Sequence, residues 1–154
     1  MTNPRYSIRL GKSSFNANIA CLGENLTQIL KIIKKLYPKS IWYLADVDTN
    51  FEGNYTLGFG GWVCKYAGIS EDIIKLVYGV DQFFSGVFLA FTKFQGEILV
   101  KEFSTEDPEF RDIGVALLEI RAFDTSYFEI YSNDFHLIQE LSKSFLNSKI
   151  SENK

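Results

Sequence analysis

Apolar positions along this chain recur with two different periods. Residues 6–10 read as a short first strand, and residues 11–18 as a polar loop. From Leu22 the period changes. Leu26, Ile29, Leu30, Ile33 and Leu36 fall at helical spacing with Lys31, Lys34 and Lys35 opposite, and Pro38 ends this helix. Residues 41–47 form a continuous apolar run of strand length, which predicts a strand buried on both faces. Residues 48–61 are turn-rich, and the stretch 48–65 holds one strand or two. A second helix begins at Ser70 as N-cap, with Glu71 and Asp72 at its positive end. Ile73, Ile74 and Val77 form its apolar face, and Gly79 closes it.

The second half reads as four strands, 87–92, 97–103, 115–123 and 127–131, followed by a helix from Asn133 or Asp134 with Leu137, Ile138, Leu141 and Phe145 on its apolar face. The links between these strands are too short for helical crossovers, so neighbours are expected to pair antiparallel. The fold class that follows is α+β: one domain over residues 1–147, a largely antiparallel β-sheet with about three packed helices, and a fraying polar tail over residues 148–154.

Composition supports a folded domain: 46% of the 154 residues are apolar and 23% are charged. The net charge of −3 argues against a dedicated nucleic-acid binder, whose phosphate contacts need a basic face. That charge is unevenly spread. Residues 97–134 carry 10 acids against 3 bases, the mark of an acidic surface suited to a basic partner. The longest uninterrupted apolar runs are about five residues, far short of a membrane span of about 20. No signal-length apolar core opens the chain, which points to a cytoplasmic protein. Cys21 and Cys64 each have apolar neighbours and read as small buried thiols.

Catalytic signals are sparse. Gly11-Lys12-Ser13 lacks the glycine of a phosphate-binding loop, because Tyr6 holds that position. Gly58, Gly60 and Gly61 lack the third glycine of a dinucleotide fingerprint, since position 63 is Val. Crowding of Trp42, Phe59 and Trp62 nearby raises a small-ligand pocket, although such crowding is more often core. His136 is the one histidine, without a nucleophile elbow or a zinc ligand set around it. The sharpest candidate is Asp46-Val47-Asp48 after the apolar strand, where two carboxylates suit a divalent ion and a small metal-dependent hydrolase. Calcium-loop spacing fails here, with Phe51 at the glycine position and Leu57 at the closing glutamate. The start of a haloacid-dehalogenase motif fails too, with Asn50 where Thr is required. No cofactor is expected.

A recognition surface is better supported. Alternation places Ala116, Leu118, Ile120 and Ala122 on one face of the 115–123 strand and Glu119, Arg121 and Phe123 on the other. In the partner strand Phe128 and Ile130 oppose Tyr127, Glu129 and Tyr131. If the apolar face covers the core, the outer face displays Glu119, Arg121, Tyr127, Glu129 and Tyr131, beside the acidic loop of Glu106, Asp107, Glu109 and Asp112. The stretch from Asp124 through Tyr127, Glu129 and Tyr131 to Asp134, with the Ile138 and Leu141 helix after it, resembles the ends of small bacterial domains of the polymorphic-toxin immunity protein type. That resemblance covers about a sixth of the chain. It implies a cytosolic protein that blocks a toxin domain by binding. The residues named for such a contact are Glu106, Asp107, Glu109, Glu119, Arg121, Tyr127, Glu129 and Tyr131, which would meet a basic active-site cleft without catalysis.

Overall fold

A computed structural model of the chain describes residues 3–16, 18, 20–49 and 61–154. In chain order its elements are β1 (Tyr6–Gly11), a 3-10 turn (Lys12–Phe15), α1 (Gly23–Leu36), β2 (Ile41–Thr49), β3 (Val63–Ile69), α2 (Ser70–Tyr78), β4 (Phe83–Phe91), β5 (Ile98–Glu102), β6 (Leu118–Phe123), β7 (Tyr127–Ser132), α3 (Phe135–Ser144) and β8 (Lys149–Glu152). These eight strands make one antiparallel sheet, ordered β5-β3-β2-β4-β6-β7-β1-β8. Among the described residues the α-helices number three, and none is long and apolar enough to cross a membrane.

Helical periodicity accounts for the first layer. Leu26, Ile29, Leu30 and Ile33 of α1, Ile73 and Val77 of α2, and Leu137, Ile138 and Leu141 of α3 pack on one face of the sheet. They meet Ile8, Leu10, Trp42, Leu44, Phe88, Ile120, Phe128 and Ile130. Each such side chain removed from water stabilises the fold by roughly 1.5–3 kcal/mol. The start of α1 lies so close to the end of α2 that a Cβ on Gly23 would sit 2.2 Å from the carbonyl oxygens of Val77 and Val80, and only glycine fits. Ser70 is the first residue of α2 rather than its cap. Asp72 accepts the Ile69 N–H at 3.0 Å, while the Ser70 hydroxyl accepts the buried Trp42 indole N–H at 3.2 Å.

The opposite face of the sheet is also covered. Tyr43, Ala45, Cys64, Val87, Leu89 and Phe91 pack there against Phe103 and Ile113. These last two belong to residues 103–117, a strap that crosses the sheet between β5 and β6. Local pairing therefore fails as a guide to topology. Strands β4 and β5 are consecutive but not neighbours, and neither are β5 and β6; β5 joins β3 at one edge and β6 joins β4 in the centre. The Tyr43 hydroxyl secures the β4–β5 link by accepting the Gln95 N–H at 2.7 Å and donating to the Gly96 carbonyl at 2.6 Å.

Three boundaries differ from the sequence reading by more than two residues. β4 begins at Phe83, four residues early, and β6 begins only at Leu118. The polar tail does not fray: Lys149–Glu152 is β8, paired with β1 from Tyr6↔Glu152 to Arg9↔Lys149. A fully exposed edge strand has no buried face to impose alternation, so its pairing is invisible in the hydrophobic pattern. Of the turn-rich stretch, residues 50–60, with Gly53, Gly58, Gly60 and Phe59, lie outside the described residues, while residues 48 and 49 end β2.

Candidate functional site

Alternation along β6 and β7 places the predicted residues on one face, as read, but that face is not the outer surface. Register sets Arg121 opposite Glu129 and Glu129 opposite Arg9, with Glu119 opposite Tyr131 in the next row. Exposure is 0% for Glu119, 2% for Arg121, 1% for Tyr131 and 7% for Glu129, so four residues assigned to a partner surface are interior. The strap covers them. Arg121 donates to the Asp107 and Pro108 carbonyls at 2.6 and 3.0 Å and to Glu119 Oε1 at 3.1 Å. Glu129 accepts from Arg9 at 2.8 Å and from the Tyr131 hydroxyl at 3.0 Å, and Phe110 of the strap meets the Tyr131 ring edge-on. These groups sew the strap to the sheet.

Burial leaves an electrostatic signature. Glu119 Oε2 is buried with no hydrogen-bond partner among the described residues. Loss of water pushes the Glu119 carboxyl up to about 7, even against the opposing pull of Arg121. Burial raises the Tyr131 hydroxyl as well, and the Glu129 charge adds to it. Tyr127 is half-buried, its ring stacked on Phe123 at 5.3 Å with the Arg9 guanidinium 4.0 Å above it. Asp107 is half-buried and paired with Arg111 at 2.7 Å, whereas Glu106 and Glu109 are exposed.

Asp46 and Asp48 separate in role. Asp46 sits in a β2 bulge at φ 53°, the left-handed region that Asp tolerates better than most residues. Its Oδ2 accepts the Thr105 N–H at 2.8 Å and the Ser104 hydroxyl at 3.4 Å. Thr105 in turn accepts the Gly86 N–H at 3.0 Å, so the aspartate pins the start of the strap to the sheet. Asp48 is exposed on β2, opposite Ser85. Among the described residues no group of three or more His, Cys, Asp or Glu side chains is placed to hold a metal ion.

The other candidates do not converge. His136 is exposed in the first turn of α3, with Nδ1 4.0 Å from Glu140. Cys21 belongs to the helix-side core and Cys64 to the strap-side core, so the sheet lies between them. Burial pushes both thiols up to about 12, which leaves them unreactive near neutral pH. Trp42 is fully buried, which removes it from any small-ligand pocket.

What the structure does bring together is an open cleft of about 470 Å³ where β2, β4 and β6 meet the strap, lined by Trp62, Phe84, Phe123, Asp46, Glu106 and Asp124 among others. Trp62 is 59% exposed and Phe84 is 40% exposed. Asp124 is an exposed residue of the β6–β7 turn. Of these six, Asp46 and Glu106 were singled out in the sequence as metal and partner candidates and Trp62 as lining a small-ligand pocket; Phe84, Phe123 and Asp124 were not named for any site. The Phe83-Phe84 doublet was the available signal, since an alternating strand must turn one of two adjacent rings outward. Compared with protein-family models, curated proteins and solved structures, the chain finds no match.

Proposed function

We propose that this domain is a non-catalytic, cytoplasmic binding protein that captures a basic protein, most concretely an immunity protein that occludes the basic active-site cleft of a toxin domain. The observation that carries this reading is the fate of the acidic residues on and around the strap. Glu119 and Glu129 pair with arginines beneath it, and Asp107 and Asp112 pair with Arg111 and Lys101. Glu97, Glu102, Glu106, Glu109 and Asp124 are exposed, with no ion-pair partner among the described residues. The recognition surface is thus the outside of the strap and the adjoining strand ends, not the β6–β7 face beneath it. Unpaired carboxylates on a folded support steer a basic partner and can pair with it without first breaking an existing ion pair.

The test is affinity capture from native cytoplasm at low and at high salt, with mass spectrometry of the retained proteins. A stoichiometric basic protein released by salt is the expected result. Changing Glu106 and Glu109 together to Lys lowers its association rate by about tenfold, which stopped-flow mixing measures. Recovery of the domain alone under both conditions, or capture insensitive to salt and to the double change, sinks the reading.

A further inference from the structure

The cleft beside the strap has the chemistry of a receptor for one particular kind of segment. Its lining includes the carboxylates Asp46, Glu106 and Asp124 and no Lys or Arg among the described residues. Its apolar walls are aromatic, from Trp62, Phe84 and Phe123. Exposed Trp and Phe rings are costly to leave in water, and here they stand beside negative charge. A guanidinium satisfies both demands, because it stacks on aromatic faces and forms forked hydrogen bonds to carboxylates. An ammonium is more strongly hydrated and stacks less well.

The Phe123 wall and the strap edge of the cleft are held in place before any ligand arrives. The Phe123 ring is backed by Tyr127 at 5.3 Å, and Tyr127 by the Arg9 guanidinium at 4.0 Å. Thr105, bound to Asp46 at 2.8 Å, fixes the strap where Glu106 leaves it. Ser85 donates to the Asp46 carbonyl at 2.6 Å and braces the bulge from β4. Trp62 precedes β3, while Phe123 ends β6 and Asp124 follows it in the turn, with β2 and β4 between them. Three strand spacings make that span about 14 Å. About four residues of extended chain cover it.

We infer that this cleft binds an extended, arginine-bearing peptide segment of a partner protein, with guanidinium groups seated between the Trp62, Phe84 and Phe123 rings and the Glu106 and Asp124 carboxylates. The inference rests on the binding function proposed above and assigns its site.

The experiment titrates the intact 15N-labelled domain with the peptide acetyl-Gly-Arg-Gly-Arg-Gly-amide, and separately with the same peptide carrying citrulline, the neutral isostere of arginine. Saturable shifts of the Trp62 indole N–H and of the Thr105 and Asp124 amides are expected. The indole N–H of Trp42, buried against Ser70, serves as the unmoved control. The citrulline peptide should bind at least about fivefold more weakly. The variants Trp62→Ala and Asp124→Asn should each weaken the arginine peptide by about fivefold; both positions are exposed, and Asn tolerates the positive φ of 48° at residue 124. Unmoved cleft signals, or equal titration by the two peptides, overturn the inference. So does a captured cytoplasmic partner whose retention survives both variants, an outcome that leaves the binding function standing. Failure to capture any partner, with the arginine peptide still seated in the cleft, separates the two in the other direction.

Discussion

Glu119 holds one carboxylate oxygen against Arg121 and the other against no donor among the described residues, at 0% exposure. Its folded-state pKa of about 7 lies above the ordinary 4.5, so the fold favours the neutral carboxyl. The sign follows by linkage. Stability from this group is full below pH 4.5, declines as pH rises towards 7, and is lowest above that. A shift of this size corresponds to up to about 3 kcal/mol. Glu119→Gln, which is neutral throughout, should therefore lose most of the stability difference between pH 5 and pH 8. Urea unfolding of both proteins at the two pH values measures it, and an identical pH dependence in the variant refutes the assignment. At Asp46 the residue scale gives a second comparison. Asp46→Asn keeps an acceptor for the Thr105 N–H and tolerates φ 53°, whereas Asp46→Ala does neither. The alanine variant should be less stable than the asparagine variant by about 2 kcal/mol, read as a difference in denaturation midpoint at constant m.

Among the elements, the strap is where local reading and structure part. Residues 104–112 are polar and acidic, the ordinary profile of a solvated loop, and the β6–β7 alternation is the ordinary profile of a half-covered hairpin. Both profiles are correct locally. Laid across the hairpin's polar face, however, the loop turns a surface into an interior, with Arg121 bound to the Asp107 and Pro108 carbonyls. Arg121→Lys keeps the charge but loses the fork that reaches both carbonyls. It should raise hydrogen exchange at the Gly86 amide, which Thr105 protects, and open the strap to limited proteolysis, while the β6–β7 ladder stays protected. An unchanged Gly86 exchange rate would mean that Arg121 does not hold the strap. The helices, by contrast, were legible almost to their ends. Their apolar stripes at Leu26 to Ile33, Ile73 to Val77 and Leu137 to Leu141 face a core whose depth demands that period.

For the whole molecule, the sheet order joins the two ends of the described chain. β1 is bracketed by β7 and β8, with Tyr6 opposite both Ser132 and Glu152. Removing residues 148–154 strips the outer partner from β1 and exposes its edge. Stability should fall by about 1–3 kcal/mol, measured by denaturant unfolding of the shortened chain. A midpoint equal to that of the full chain would mean that β8 contributes nothing. The sequence by itself determined the α+β class, the three amphipathic helices, which side chains of β6 and β7 share a face, and an excess of acid in the second half. Those properties are written in neighbours a few residues apart, where period and charge are read directly. Only the tertiary structure decided that the strap covers the second face of the sheet, that β5 lies at the edge and β8 joins β1, and that Trp62, Phe84, Phe123 and Asp124 share a cleft. These are pairings between residues far apart in the chain, selected by packing over the whole sheet, and no local period encodes them.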